Sequence, residues 1–416
     1  MKVSTKRWVL VLFGALLLAP VGSAQTLSMW SWRTEDVDAY NEILAAYTAE
    51  NPDLAVNFEA FLNTEYNTLV STSLQAGDAG DVVQTRSYGG VKSWIDGGYL
   101  VPLDGRESLA NYDASVLDAV RSQDGQVYGV PFAIQTLQMF YNKAIFAELG
   151  LSEPTTWDEF VALNDALLEA GYIPMATTAK DAWMLPILHS VVGAGSYGGD
   201  AFVEGVLSGE ATFEDPAFVE SIQAVKDLQA YFPPDVTAVS YTDSQTLFTT
   251  EMAAMFPGGS WEGAYFTEQN PDLELGVFAV PAKGTDAQLS SWFVDGAWAV
   301  STSTEDEPAA LAFVDWLGSP AFGQPFTDRL AQISPIKGVT PTDPLLQEIV
   351  ALYDEAATPY LLLVHFRYGT PSGTDVIGED MQKLFLDDMS AEEVAADLQS
   401  QLSSWFTPGQ NAATGD

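Results

Sequence analysis

Short apolar runs and capped amphipathic stretches take turns along almost the whole chain, and this alternation limits the fold more than any other feature of the sequence. The run Thr26 to Trp30 reads as a strand. Thr34 is placed to cap the helix that follows, Glu35 and Asp36 suit the positive end of its dipole, and Val37, Tyr40, Leu44 and Tyr47 recur at helical spacing until Asn51-Pro52 ends it. Leu54 to Phe61 is extended again, a helix is expected around Tyr66 to Leu74, and Asp81-Val82-Val83 reads as a short buried strand. Later helices are announced by Thr156-x-x-Glu159, Asp215-Pro216, Thr304-x-x-Glu307 and Ser390-x-x-Glu393, with stops at Gly171, Gly318 and near Pro408. Such alternation predicts an α/β architecture in which helices cover a largely parallel sheet.

Composition narrows the class. The 416 residues carry 16 basic against 57 acidic side chains, a formal charge of −41. A surface this negative repels nucleic acid and anionic lipid, whose capture needs clustered Lys and Arg. With 47% hydrophobic and 12% aromatic residues the chain is too apolar to be disordered. Its length suggests two or three domains at roughly 150 residues each. No internal repeat or long linker separates them, so short crossings must join them. The absence of cysteine excludes disulfides, thiolate metal sites, a Cys nucleophile and a lipid-modified N-terminal Cys. Residues 1–24 read as a secretory signal. Lys2, Lys6 and Arg7 precede the apolar stretch Trp8 to Leu18, and Gly22 and Ala24 prepare a cut ahead of Gln25. That stretch falls short of the roughly 20 residues that span hydrocarbon, so a protein exported to the periplasm or the exterior is expected. Gly409 to Asp416 reads as a polar tail.

Little of the sequence carries catalytic chemistry. His189 and His365 stand far apart without ligand spacing, which argues against zinc and against a His-based triad. Gly193-Ala194-Gly195-Ser196-Tyr197-Gly198 matches GxGxxG, but it follows a helix-like segment instead of a strand and reads as a plain loop. Carboxylate pairs abound by chance among 57 acids, so no glycosidase pair stands out. No metal or cofactor is expected. The tryptophans say more. Trp30-Ser31-Trp32 ends the first strand, Trp261 follows Pro257-Gly258-Gly259-Ser260, and Trp292 precedes Asp295-Gly296. Strand ends in open α/β sheets are where ligands bind. Aromatic faces suit the C–H faces of a sugar, and carboxylates, amides and Arg forks take its hydroxyls. Taken singly, each tryptophan could equally belong to the core or the rim. A sugar-binding protein and a secreted carbohydrate-active hydrolase both remain open on these residues.

The order of several segments resembles that of the extracellular solute-binding proteins of carbohydrate ABC transporters, the group that includes the maltose-binding proteins. The similarity runs from Trp30-Ser31-Trp32 through Gly80-Asp81-Val82-Val83, Gly97 to Leu103, Val127 to Phe132, Phe140 to Lys143 and Pro154 to Phe160. It continues through Ala254 to Trp261, Asp295 to Ser301, Ser334 to Ile336 and the closing amphipathic helix. The chain departs from the group in lacking a lipidation cysteine and in carrying Asp295 where many relatives have glycine. The resemblance implies a two-lobed, hinged periplasmic-binding-protein fold of the type II kind, with the ligand cleft between the lobes. One lobe would comprise residues 25–133 and 289–332, the other 134–288 and 333–416. It further implies a monomer that closes on a di- or oligosaccharide and hands it to membrane permease subunits, or a sensor that presents the sugar to a membrane receptor.

By position in that resemblance, Trp32, Thr34, Glu35, Thr85, Arg86 and Gln135 line the cleft from one side. Trp183, Trp261, His365 and Arg367 line it from the other, with Trp292 and Asp295 on a crossing segment. Trp261 and Trp183 would stack on sugar rings, with Trp32 or Trp292 closing the opposite side. Glu35, Gln135 and Asp295 would accept hydroxyl hydrogen bonds, and Arg86 and Arg367 would donate them. Tyr141-Asn142-Lys143 is read as structural.

Overall fold

Residues 25–409 are described by a computed structural model; residues 1–24, expected above to be a secretory signal, and the tail beyond Gly409 lie outside the described residues. The strands are β1 (Gln25–Ser31), β2 (Leu54–Ala60), β3 (Val82–Arg86), β4 (Val130–Asn142), β5 (Ile173–Met175), β6 (Ala253–Gly259), β7 (Leu275–Phe278), β8 (Ser290–Val300) and β9 (Ala357–Pro359). They form one sheet in the order β2-β1-β3-β8-β4-β6-β5, with β7 on β4 and β9 on β8. Helices cover it, as the alternation predicts.

The sheet is mixed, which corrects the expectation of a largely parallel one. β1 pairs in parallel with β2 and β3, and β5 with β6, as helix crossovers require. The two longest strands run against their neighbours. The Gly296–Val300 end of β8 pairs antiparallel with β3, and the Leu137–Tyr141 end of β4 pairs antiparallel with β6. Between those ends β4 and β8 pair with each other, from Val130 opposite Trp298 to Leu137 opposite Ser291. These two strands thereby carry the chain between the two halves of the sheet.

All 13 residues of β4 are buried, which forces its polar members to find partners inside. Asn142 does so by capping the helix Lys143–Leu149, accepting from the backbone N–H groups of Ala144 and Ile145. That is the structural role expected of Tyr141-Asn142-Lys143. Pro131 has no N–H for the ladder, and the register shifts between Pro131 and Ile134. The displaced Ile134 N–H donates to the Ile333 carbonyl at 2.8 Å, so the bulge admits a third crossing segment.

The core beneath the first strands is aromatic. The helix Val37–Glu50 buries Tyr40, Ile43, Leu44 and Tyr47. Tyr40 stacks on Phe58 at 4.6 Å and meets the edge of the fully buried Trp298 at 5.7 Å. Burying one such ring is worth about 2–3 kcal/mol before the contribution of stacking.

Helix starts show which local signals win. The Ser390 box closes in both directions. Thr156 accepts from the Glu159 N–H, but the Glu159 carboxylate turns to Thr155. Pro216 opens its helix without a side-chain bond from Asp215. Two caps fall elsewhere than expected. A 3-10 turn, Thr34–Asp36, precedes the first helix, so Thr34 lies a turn too early. The Thr304 hydroxyl donates to Asp81 at 2.6 Å, which leaves Asp306 to cap Glu307–Leu317. The GxGxxG match is not a loop either. Gly193 to Tyr197 form the end of the helix Leu185–Tyr197, where a Cβ on Gly193 would come within 2.9 Å of Ser221 and one on Gly195 within 2.8 Å of Ala282. These glycines serve close packing.

Candidate functional site

β1 and β3 are parallel neighbours, so their carboxyl ends deliver Trp32, Arg33 and Arg86 to one place. The antiparallel β8 brings Gly296 opposite Arg86 and sets Asp295 beside it. Gly296 is required there: a Cβ would lie 2.5 Å from the Thr85 carbonyl oxygen and 2.7 Å from the Trp32 ring. Trp32 is only 3% exposed. The Arg86 guanidinium covers one face of its ring at 3.8 Å, and Tyr66 meets it edge-on at 5.5 Å. Trp32 therefore supports Arg86 and does not present an open face, contrary to the stacking role expected of it. Thr85 is fully buried within the sheet, its hydroxyl turned to the Ala297 carbonyl at 3.4 Å.

Charge on this side is closely paired. Arg33, which the sequence reading passed over between Trp32 and Thr34, bonds Asp36 and lies 3.5 Å from the exposed Glu35. Burial lowers its pKa, but the Asp36 bond and the carboxylates of Asp36, Asp295 and Glu35 raise it further, so it stays charged. Arg86 has its pKa lowered by burial, with Asp295 opposing the shift and Arg367 adding to it. The structure thus gathers Arg33, Glu35, Arg86, Asp295 and Arg367 into one electrostatic group. Tyr368 completes it. A Cβ on Gly90 would meet Arg86 at 2.5 Å and the Tyr368 ring at 3.1 Å, and one on Gly89 would meet Tyr368 at 2.5 Å. Tyr88, in the left-handed region at φ 56°, sets up this seat, and its hydroxyl accepts from the Val294 N–H at 2.9 Å.

A second group is aromatic. Trp261 lies flat over Gly259, where a Cβ would come within 2.0 Å of the indole. Its edge approaches Phe293 at 6.5 Å. Trp183 is half-exposed and packs edge-on against Tyr241 at 4.9 Å. Behind them sits Glu262, fully buried, its pKa raised by desolvation although hydrogen bonds from Tyr241, Gln245 and Trp261 pull it down. Phe293 of β8 touches Trp261, and Asp295 stands two residues on, at the irregularity where the ladder passes from Val294 to Gly296, beside Arg86. This strand thus contributes a residue to each group.

Trp292 points the other way. It packs edge-on against Tyr353 of the helix Pro344–Ala356 at 5.6 Å and, as the neighbour of Phe293 in the ladder, lies on the opposite face of β8 from the one Trp261 touches. Gln135, opposite Phe293 in the ladder, does sit by the site, but both ends of its amide are taken. Its oxygen accepts from Ser260 at 2.7 Å and its nitrogen donates to Gln332 at 3.1 Å, tying the residue before Trp261 to the third crossing. His365 has its pKa pushed down by burial to about 4 and is uncharged at neutral pH; its Nδ1 is buried without a hydrogen-bond partner. His189 is a core residue 2.8 Å from Ser221. Among the described residues no group of three or more His, Asp or Glu is arranged to hold a metal. A cavity of about 610 Å³ beside β5, bordered by Tyr172, Phe232 and Phe385, has Asp235 as the one carboxylate in its lining and none of the charged and aromatic groups above.

Comparison with known proteins gives the family and the fold. The model of the family of bacterial extracellular solute-binding proteins matches residues 31–324, and the chain belongs to that family. It is similar to the Multiple sugar-binding protein of Streptococcus mutans, 25% identical over 322 residues and 76% of each chain. It is also similar to the Melibiose/raffinose/stachyose-binding protein of Bacillus subtilis, 22% identical over 94% of each chain. Among solved structures, the apo form of RafE from Streptococcus pneumoniae superposes with a TM-score of 0.78 at 23% identity, covering 92% of this chain and 98% of that one. The fold is accordingly the two-lobed one that the resemblance implied, and the family is one of binding proteins that act outside the cell.

Proposed function

We propose that this protein captures a di- or oligosaccharide between its lobes and delivers it to the permease subunits of an ABC importer. The observation that carries the reading is the meeting, across β8, of an aromatic wall and a wall of paired arginines and carboxylates in a chain of this family. The first wall suits the apolar faces of sugar rings and the second their hydroxyls. We assign residues 25–133 and 289–332 to one lobe and 134–288 and 333–416 to the other, a division supported by the crossings at β4, β8 and Ile333. Trp183 and Trp261 stack on rings, Arg86 and Arg367 donate, and Glu35 and Asp295 accept. Gln135 braces the base of the cleft, and Trp292 serves the opposite face of the crossing strand. The monomer binds without catalysis, after export by the leader of residues 1–24 and with no cysteine for a lipid anchor. Ligand that touches both lobes at once favours the closed state by its differential affinity.

Calorimetric titration with a panel of mono- and oligosaccharides tests this. Binding of at least one oligosaccharide, with no release of reducing ends on prolonged incubation, is the expected result. Stabilisation by amino acids or polyamines and by no sugar would refute it.

A further inference from the structure

Glu262 is the first residue of the helix Glu262–Gln269, directly after Trp261, and its side chain is fully buried. A carboxylate with no access to water is costly unless its lone pairs are filled. Here three donors fill them. Oε1 accepts from the Tyr241 hydroxyl at 2.5 Å and from the Trp261 indole Nε1 at 3.0 Å, and Oε2 accepts from Gln245 Nε2 at 2.9 Å. Two of the three donors are the polar edges of the aromatic wall itself. Both point inward at one atom, and Trp183 leans on the Tyr241 ring from outside. No lysine or arginine takes part, so the carboxylate is held by neutral donors alone.

A buried leucine or methionine at 262 would fill the same space without the desolvation cost. What the carboxylate adds is orientation. It draws the indole N–H and the phenol O–H into the protein, so that the wall turns only carbon faces toward the ligand. We infer that Glu262 is a positioning residue of the sugar site, a buried acceptor that fixes the rings of Trp261 and Tyr241 and makes their wall a purely stacking surface for the C–H face of a pyranoside. This rests on the sugar-binding reading above. Discrimination among hydroxyl patterns then falls to the arginine and carboxylate side.

Three variants and one spectrum test it. Glu262→Ala and Glu262→Met remove the acceptor, the second while keeping the volume should the first fail to fold. Glu262→Gln keeps an oxygen for Tyr241 and Trp261, and Gln245 can turn its amide to meet the new one. For a sugar that binds the unaltered protein, the acceptor-free variants are expected to lose about tenfold or more in affinity, as for a broken buried network, with Glu262→Gln within about threefold. In a Trp261→Ala background, removing the Glu262 acceptor should cost clearly less than it does alone, because one of the two rings it fixes is gone. Affinity unchanged by Glu262→Met, or a loss that adds in full to that of Trp261→Ala, overturns the inference. If no sugar binds the unaltered protein, the functional reading fails, and the Trp261 indole N–H resonance, assigned by its disappearance in Trp261→Ala, decides the positioning role separately. A shift in Glu262→Met that Glu262→Gln does not share supports it, and an unmoved resonance overturns it.

Discussion

Trp261, Glu262, Tyr241, Gln245 and Trp183 all lie between residues 183 and 262, and their contacts close among themselves around one carboxylate. The charged group proposed to face them is put together from four distant pieces. Arg33 with Glu35 and Asp36, Arg86, Asp295, and Tyr368 with Arg367 come from the ends of β1 and β3, from β8 and from the segment after the helix Leu361–Phe366. The first wall is complete before any ligand or lobe movement, and its chemistry is apolar. The second depends on distant parts of the chain meeting, and its chemistry is ionic. Affinity that comes from stacking should therefore be insensitive to salt and to closure, while affinity that comes from the charged side should respond to both.

This contrast can be broken at several points. The largest effect is expected from Trp261→Ala, a loss of about 1–3 kcal/mol in sugar binding by calorimetry. The loss should be the same at low and high ionic strength. Arg86→Met should cost about 1–2 kcal/mol, as for a hydrogen bond from a charged group. Its cost should shrink as salt rises toward about 0.5 M, and a salt-independent loss would place Arg86 in packing alone. Gly90→Ala puts a methyl group against Arg86 and Tyr368. It should weaken binding by about 1 kcal/mol, as for moderate overpacking, and raise the radius of gyration measured by small-angle scattering. The smallest effect on binding is expected from Trp292→Phe, under about 0.5 kcal/mol, with a drop in melting temperature as the smaller ring packs less fully on Tyr353. A larger loss of affinity would bring Trp292 into the site.

The same contrast explains what could be read from the sequence. The place of Trp261 at a strand end was legible because Pro257-Gly258-Gly259-Ser260 announces it, and Arg86 stood out because only six arginines follow residue 24. Glu262 was not, since one acid among 57 carries no signal until Tyr241 and Gln245, about twenty residues earlier, fold against it. Arg33 could have been found from its place between Trp32 and two carboxylates. Trp32 was misjudged because position at a strand end does not reveal which side chain will cover the ring. The architecture was legible from alternation alone, but strand direction was not. β4 and β8 pair antiparallel with β3 and β6 because they cross between the halves of the sheet, a property of topology and not of local pattern. Helix caps failed where a tertiary partner outcompeted the local one, as Asp81 did for Thr304.

The pairing of β3 with β8 bears on when the molecule can fold. Val82 to Arg86 finds its antiparallel neighbour more than two hundred residues later. During synthesis β1, β2 and β3 are all present while one flank of their sheet still has no strand to close on it, and pairings of such long range are intrinsically slow to form. The N-terminal third is thus kept from completing its structure until most of the polypeptide exists. For a chain that must cross a membrane before it works, that delay keeps it threadable.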